Sequence, residues 1–198
     1  MAIQLATYRL FGEQVGTYEA TQMRPFLHGR TETTRAVSPA SAAFVKRMGL
    51  RPQNDLNDEG AREEKLALLS EAAQSHANYT KKAGKGKGVD RHFFGMAMLV
   101  NEDDISPALF SDSLYLKSKK WRVSTSHLTH PKFENWGFGE VVTDGVGVGY
   151  GVKKDSCIFN ITSRREHGWT EHLCHLLEEA LLEMQLLNDL GKQPQSKL

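Results

Sequence analysis

Apolar positions recur every three or four residues in some stretches of this chain and alternate with polar ones in others, so it reads as mixed helices and strands. Ile3, Leu5, Ala6 and Leu10 line one side of Met1 to Phe11, and Gly12 ends that helix without any N-terminal cap before it. Thr17 to Arg35 is rich in Thr and holds one breaker pair, which predicts two short strands or strand-like loops. Ser38-Pro39 caps a helix carrying Ala42, Ala43, Phe44 and Val45 as far as Gly49. Leu50 to Gly60 has no period and reads as a loop. Leu66, Leu69, Ala73, His76 and Thr80 predict a helix over Ala61 to Ala83, and Phe93 to Val100 a further apolar helix.

The later half alternates more often. Ser106-Pro107 is expected to cap a short helix, after which Leu114 to Leu116 run toward a strand beginning near Trp121. Asn135 to Val142 sets glycines between large aromatics, as in a strand that something approaches closely. Asp144-Gly145 signals a turn, and Gly147, Gly149 and Gly151 then alternate with Val148 and Tyr150. Cys157 to Ser163 reads as a buried strand. Ser163 with Glu166 fits a capping box, and Trp169, Leu173, Leu176, Ala180, Met184 and Leu187 stripe a last helix to Leu190.

Composition narrows the classes. The chain has 198 residues, 39% hydrophobic and 25% charged, which suits one ordered domain over 1–190 with a flexible tail over 191–198. A net charge of +1 gives no case for nucleic acid as a partner. No apolar run reaches the roughly 20 residues that cross a bilayer. Cys157 and Cys174 have no disulfide spacing. The terminal Ser196-Lys197-Leu198 matches the address read by the peroxisomal import receptor, so a peroxisomal location is expected, with cytoplasm or mitochondrion as the alternative.

Candidate chemistry gathers at Trp121 to His127. Alternation on a strand sends Ser124 and Ser126 one way and Thr125 the other, which sets two neutral hydroxyl donors side by side. Such a pair suits an oxyanion that forms only in a transition state, and equally suits a solvated strand edge. Arg91, followed directly by an apolar face, should be half-buried and need a partner, either Asp90 or a ligand carboxylate. Arg24, Arg30 and Arg35 with Glu19 and Glu32 are either an ion-pair network or the polar wall of a ligand site. Lys81, Lys82, Lys85 and Lys87 crowd around Gly84, Gly86 and Gly88; without a closing Lys-Ser/Thr or a preceding strand they read as a charged helix end, with a weaker phosphate-side alternative. His172 and His175 stand three apart without the glutamate of helical metal pairs, so no metal is expected. A serine hydrolase built on Ser124 or Ser126 lacks the nucleophile-elbow pattern.

Thr17-Tyr18-Glu19, Gly29-Arg30-Thr31-Glu32-Thr33 with Arg35, Asp90-Arg91-His92, Ser124-Thr125-Ser126, and Phe138-Gly139-Glu140-Val141-Val142 with Asp144-Gly145 appear in one order. Together they resemble the carnitine and choline O-acyltransferases from about Leu5 to Leu187. The resemblance implies an α/β fold, a mixed sheet covered by helices, like one half of the two-domain coenzyme A-dependent acyltransferase fold. It implies acyl transfer between coenzyme A as co-substrate and the hydroxyl of carnitine, with no covalently bound cofactor. By position Ser126 would support the oxyanion beside Ser124, Tyr18, Thr31 and Arg91 would hold the carnitine carboxylate, and Phe138 would face the trimethylammonium group. Choline has no carboxylate, so Thr31 and Arg91 argue for carnitine.

Departures from the family pattern refine this expectation. His127 stands where a glutamine that touches coenzyme A is common, Ala20 and Ala77 replace polar contacts, and Glu140 replaces a proline. Trp136 falls at the acyl-chain gate, which favours acetyl or other short groups. The family's general-base histidine has no counterpart among the eight histidines. The chain is therefore expected to be the carboxyl-terminal portion of a longer acyltransferase, working with a missing N-terminal half. The alternative expectation is a non-catalytic carnitine-binding module.

Overall fold

The computed structural model describes residues 1–101, 103 and 105–192. The chain is α/β, with a five-stranded mixed sheet and seven α-helices among the described residues. The described residues divide into two compact units, those within 1–14, 37–75 and 171–192 forming one and those within 15–36 and 76–170 the other.

The first unit is helical. α1 (Ala2–Phe11) starts at Met1 without a side-chain cap and ends at Gly12, whose φ of +72° is the left-handed value that favours glycine. α2 (Pro39–Met48) starts at Ser38, where the Ser38 and Ser41 side chains each accept the other residue's backbone N–H. Leu5, Ala6, Phe44, Val45 and Met48 are buried in this unit, with Leu173, Leu177, Ala180 and Leu187 of α7 (Trp169–Gly191). The buried line of α7 thus passes through Leu177 and Glu183 rather than Leu176 and Met184. Glu183 is admissible there because Arg9, itself buried, donates to it at 2.7 Å and to Glu179 at 3.1 Å.

α3 (Glu59–Ala83) starts two residues before the periodicity predicted, and its buried line is turned by one residue. Lys65 and Ala72 are buried, whereas Ala73 and Thr80 are exposed. An apolar period could not select Lys65; its ammonium is carried inward by its pairing with Asp55, which Arg47 also holds at 2.9 Å.

The second unit holds the sheet, in the order β2-β1-β3-β4-β5. β1 (Thr17–Gln22) pairs antiparallel with β2 (Thr31–Arg35) and parallel with β3 (Val123–His127); β3 pairs parallel with β4 (Val146–Val152), and β4 antiparallel with β5 (Cys157–Ser163). Parallel neighbours need long crossovers. Residues 23–122 supply one, passing through β2 and including α4 (Asp90–Met98), α5 (Ala108–Ser111) and α6 (Ser113–Lys119), and residues 128–145 the other.

Four expectations change here. Asn135 to Val142 is not a strand but the irregular part of the β3–β4 crossover. The close approach it signalled is real and falls on β4: a Cβ on Gly147 would stand 3.0 Å from the Phe138 and Gly139 carbonyls, and one on Gly149 3.1 Å from that of Trp136. β5 is an edge strand and only half-buried. Ser163 makes no capping box; its hydroxyl meets that of Thr170 at 2.9 Å, and residues 165–167 form one turn of 3₁₀-helix before α7. Ser106 does not cap α5, whose first flanking residue is Pro107, and Leu114 to Leu116 lie inside α6, capped by Asp112. Ser196-Lys197-Leu198 lies outside the described residues.

Candidate functional site

Cross-strand register decides which motif residues meet. Partners in a ladder share a face. Arg35 lies opposite Tyr18 and Thr31 opposite Gln22; Tyr18 lies beside Ser124, Ser124 beside Gly147 and Ser126 beside Gly149. Thr31, Tyr18, Ser124 and Ser126 therefore occupy one face of the sheet, with the β4 glycines leaving room beside the serines. Tyr18 and Gln22 are four positions apart, so roughly 13 Å of strand separates Tyr18 from the level of Thr31. Ser126 comes between these levels along β3.

Neither the Ser124 nor the Ser126 hydroxyl has a hydrogen-bond partner among the described residues, although Ser124 is only 2% exposed. Two donors on a central strand are unspent, one on a buried residue and one on a half-buried residue. β3 is central, so the edge reading of these serines is set aside.

Arg91 is exposed rather than half-buried, and Asp90 is not its partner. Its Nε donates to the Thr31 carbonyl at 3.2 Å, and Nη2 to the Thr31 hydroxyl at 3.4 Å. Asp90 instead receives Arg35 in a two-pronged pair at 2.9 and 2.6 Å. Arg35 also donates to the Ser118 hydroxyl at 2.9 Å and lies 5.3 Å over the Trp121 ring. Through this strut β2 holds the first turn of α4, and with it Arg91, beside Thr31. The ion pair expected of Arg35 is real, but its partner is Asp90 rather than Glu19 or Glu32; a cation closing a strand, with an aspartate at the next helix's first turn, was the available signal.

The crossover brings Phe138 to the serine face. The Phe138 carbonyl accepts from Thr162 Oγ1 at 2.6 Å, and the Trp136 carbonyl accepts from Asn160 Nδ2. Both donors belong to the serine face of β5, opposite Gly147 and Gly149. The Trp136 and Phe138 rings stack with centroids 5.8 Å apart, and both residues are half-buried. The Trp136 indole N–H is buried without a partner among the described residues.

The opposite face is closed chemistry. Glu19 accepts from the Tyr150 hydroxyl at 2.8 Å and from Thr125 Oγ1 at 3.1 Å, and Thr125 also donates to the Tyr18 carbonyl at 3.0 Å. Burial and the Glu19 charge push the Tyr150 hydroxyl well above its ordinary pKa, so it stays a neutral donor. Burial holds the nearby His76 below its ordinary value. Glu32, which is buried, accepts from the Thr33 and Arg91 backbone N–H groups at 2.8 and 3.3 Å. Glu19 and Glu32 thus pair with hydroxyls and backbone, not with the neighbouring arginines. The missed signal was a glutamate among threonines on a strand, which burial makes costly unless several donors meet it.

His127 falls on this second face, away from the serines. Its ring stands 5.1 Å from that of Tyr150, and Nε2 meets Thr129 Oγ1 at 2.9 Å. His172 and His175 are exposed on α7, and no cluster of three metal-binding side chains occurs among the described residues.

Residues 1–179 match the family model described as choline/carnitine O-acyltransferase. The mitochondrial carnitine O-acetyltransferase of Saccharomyces cerevisiae is 39% identical over 163 residues, which are 82% of this chain and 23% of the relative. Human carnitine O-acetyltransferase is 37% identical over 202 aligned positions, covering 100% of this chain and 31% of the relative. The mitochondrial carnitine O-palmitoyltransferase 2 of Xenopus tropicalis is 34% identical over 168 residues, 82% of this chain and 24% of the relative. The chain spans between 23% and 31% of the length of these relatives.

Proposed function

Because the chain belongs to the choline/carnitine O-acyltransferase family, we propose that it forms the carnitine-side wall of an enzyme moving acyl groups between coenzyme A and the carnitine hydroxyl. The observation that carries this reading is the single sheet face holding Tyr18, Thr31, Ser124 and Ser126, with Arg91 hydrogen-bonded to Thr31 at its rim. Arg91 supplies a permanent cation and Thr31 and Tyr18 supply hydroxyls, which together satisfy a carboxylate. Ser126, with Ser124, donates to the tetrahedral oxyanion; a neutral donor in an enclosed place stabilises charge as it develops and needs no counter-ion in the ground state. Phe138 faces the trimethylammonium group. Trp136 narrows the acyl side and favours acetyl over long chains.

None of the eight histidines stands in the family's general-base motif, and His127, the histidine within the sheet, is on the face away from the serines, so we infer that acyl transfer uses a further segment that carries a base and binds coenzyme A. The second reading, a carnitine-binding module without turnover, rests on the same fact. Carnitine-dependent thiol release from acetyl-coenzyme A by the isolated chain excludes the second reading. Calorimetric titration with carnitine tests the pocket itself. Arg91→Ala should weaken carnitine binding about 10- to 100-fold, the worth of hydrogen bonds to a charged group; unchanged affinity removes Arg91 from the carboxylate site. We place the protein in the peroxisome on its terminal Ser196-Lys197-Leu198. A fluorescent protein fused ahead of residue 1 should lose peroxisomal import when that tripeptide is deleted.

A further inference from the structure

The turn between β1 and β2 and the loop after α3 join into one basic surface with an apolar tip. Residues 23–30 contain Arg24, His28 and Arg30, residues 81–88 contain Lys81, Lys82, Lys85 and Lys87, and neither stretch has an acidic residue. All seven of these side chains are exposed. Among the described residues none of the six lysines and arginines is paired with a carboxylate: Arg24 donates to Gln22 at 3.0 Å and Arg30 to the Gly29 carbonyl at 2.9 Å.

The two stretches are built against each other. After α3 the Gly86 N–H bonds the Ala83 carbonyl at 2.8 Å and the Lys87 N–H bonds that of Lys82 at 3.0 Å, the paired bonds of a Schellman ending. Gly86 takes the required positive φ of +70°, and a Cβ there would stand 2.7 Å from the Phe26 ring and 3.4 Å from the Met23 sulfur. The ring therefore rests on the lysine loop. On the other side the turn is closed by the Met23 N–H to the Arg30 carbonyl at 2.9 Å, with His28 and Gly29 both at a φ of +67°. This leaves Leu27 82% and Phe26 44% exposed at the tip, with the cations around them.

We propose that this surface docks the protein on a membrane carrying anionic phospholipid. Charge complementarity selects that occupant: unpaired cations are drawn to an anionic leaflet within a Debye length of about 8 Å, while Leu27 and Phe26 enter the headgroup boundary. A net charge of +1 conceals this because all 24 acidic residues lie outside these two stretches. Since the turn runs directly into Thr31, docking would hold the candidate site at the membrane surface.

The 198-residue chain should float with vesicles of phosphatidylcholine and phosphatidylserine at low salt and detach as potassium chloride rises. Lys82→Gln and Lys85→Gln should each reduce the partition about fivefold, and Leu27→Ser should weaken it at every salt concentration. These side chains are exposed, so a thermal midpoint equal to the parent's separates lost docking from lost folding. No partition into anionic vesicles, equal partition into pure phosphatidylcholine, or partition unchanged when all four lysines become glutamine overturns the proposal. So does displacement by inorganic phosphate at constant ionic strength, which marks a small-anion site instead. Carnitine titration of the same preparations reports on the acyltransferase reading, so the two proposals fail separately.

Discussion

Ser126 and Thr125 are neighbours on β3, yet they serve opposite faces of the sheet. On the Thr125 face the polar groups are committed: Thr125, Tyr150 and Glu19 close on one another across three strands, and Val123, Val146 and Val148 are buried beside them. On the Ser126 face the two serine hydroxyls have no partner among the described residues, and three glycines on β4 leave space beside them. The contrast teaches that one face is built to hold strand register and the other to present donors. Donors that the fold does not use are available to a ligand.

Exchanging the two roles tests that contrast most severely. In a preparation that turns over, Ser126→Ala should lower kcat about 100- to 1,000-fold, as loss of an oxyanion donor does. Its unfolding free energy should stay within about 0.5 kcal/mol of the parent. Thr125→Val should do the reverse, costing about 1–3 kcal/mol in urea unfolding because it removes a buried hydroxyl that bonds half-buried Glu19 and the Tyr18 carbonyl. If Ser126→Ala unfolds the chain and Thr125→Val does not, the assignment of faces is wrong.

Gly147→Ala probes the space itself. A Cβ there would stand 2.6 Å from Thr162 Oγ1 and 3.0 Å from two carbonyls of the crossover, so backbone must shift. The expected loss is about 1–3 kcal/mol. Carnitine affinity should fall with it, because the crossover displaced by the new Cβ carries Phe138; a stability loss with full affinity would take Phe138 out of the site.

The smallest effect is on pH dependence. Burial lowers the His76 pKa from 6.5, so the unfolded chain takes up its proton first. The stability this gives is complete above about pH 6.5 and declines as pH falls from there toward the folded value. His76→Gln should flatten that slope in thermal melts. Asp144, held below 3.8 chiefly by its hydrogen bond from Lys120, contributes stability that disappears only below about pH 4, so the two windows separate.

Local chemistry made several elements readable in advance. Ser38-Pro39 and Gly49 bound α2, Gly12 ends α1, and alternation alone set Ser124 and Ser126 on a common face, because caps, left-handed turns and the strand period depend on near neighbours in the chain. The same period already sent His127 to the other face from Ser126. The motifs likewise carried the family, since they preserve residue type and order whatever surrounds them.

What needed the tertiary structure was every choice among distant partners. Asp90 adjoins Arg91 in sequence but binds Arg35, 55 positions away, because ladder register brings the end of β2 to the first turn of α4. The glycine-rich run at 136–142 is coil, since its carbonyls lie against β4 and hydrogen-bond to side chains of β5 instead of joining a ladder. Lys65 is inside only because Asp55 meets it. The sequence determined which donors and cations exist and which strand faces they take. Long-range pairing, which no local period encodes, decided which were consumed by the fold and which were left for a ligand.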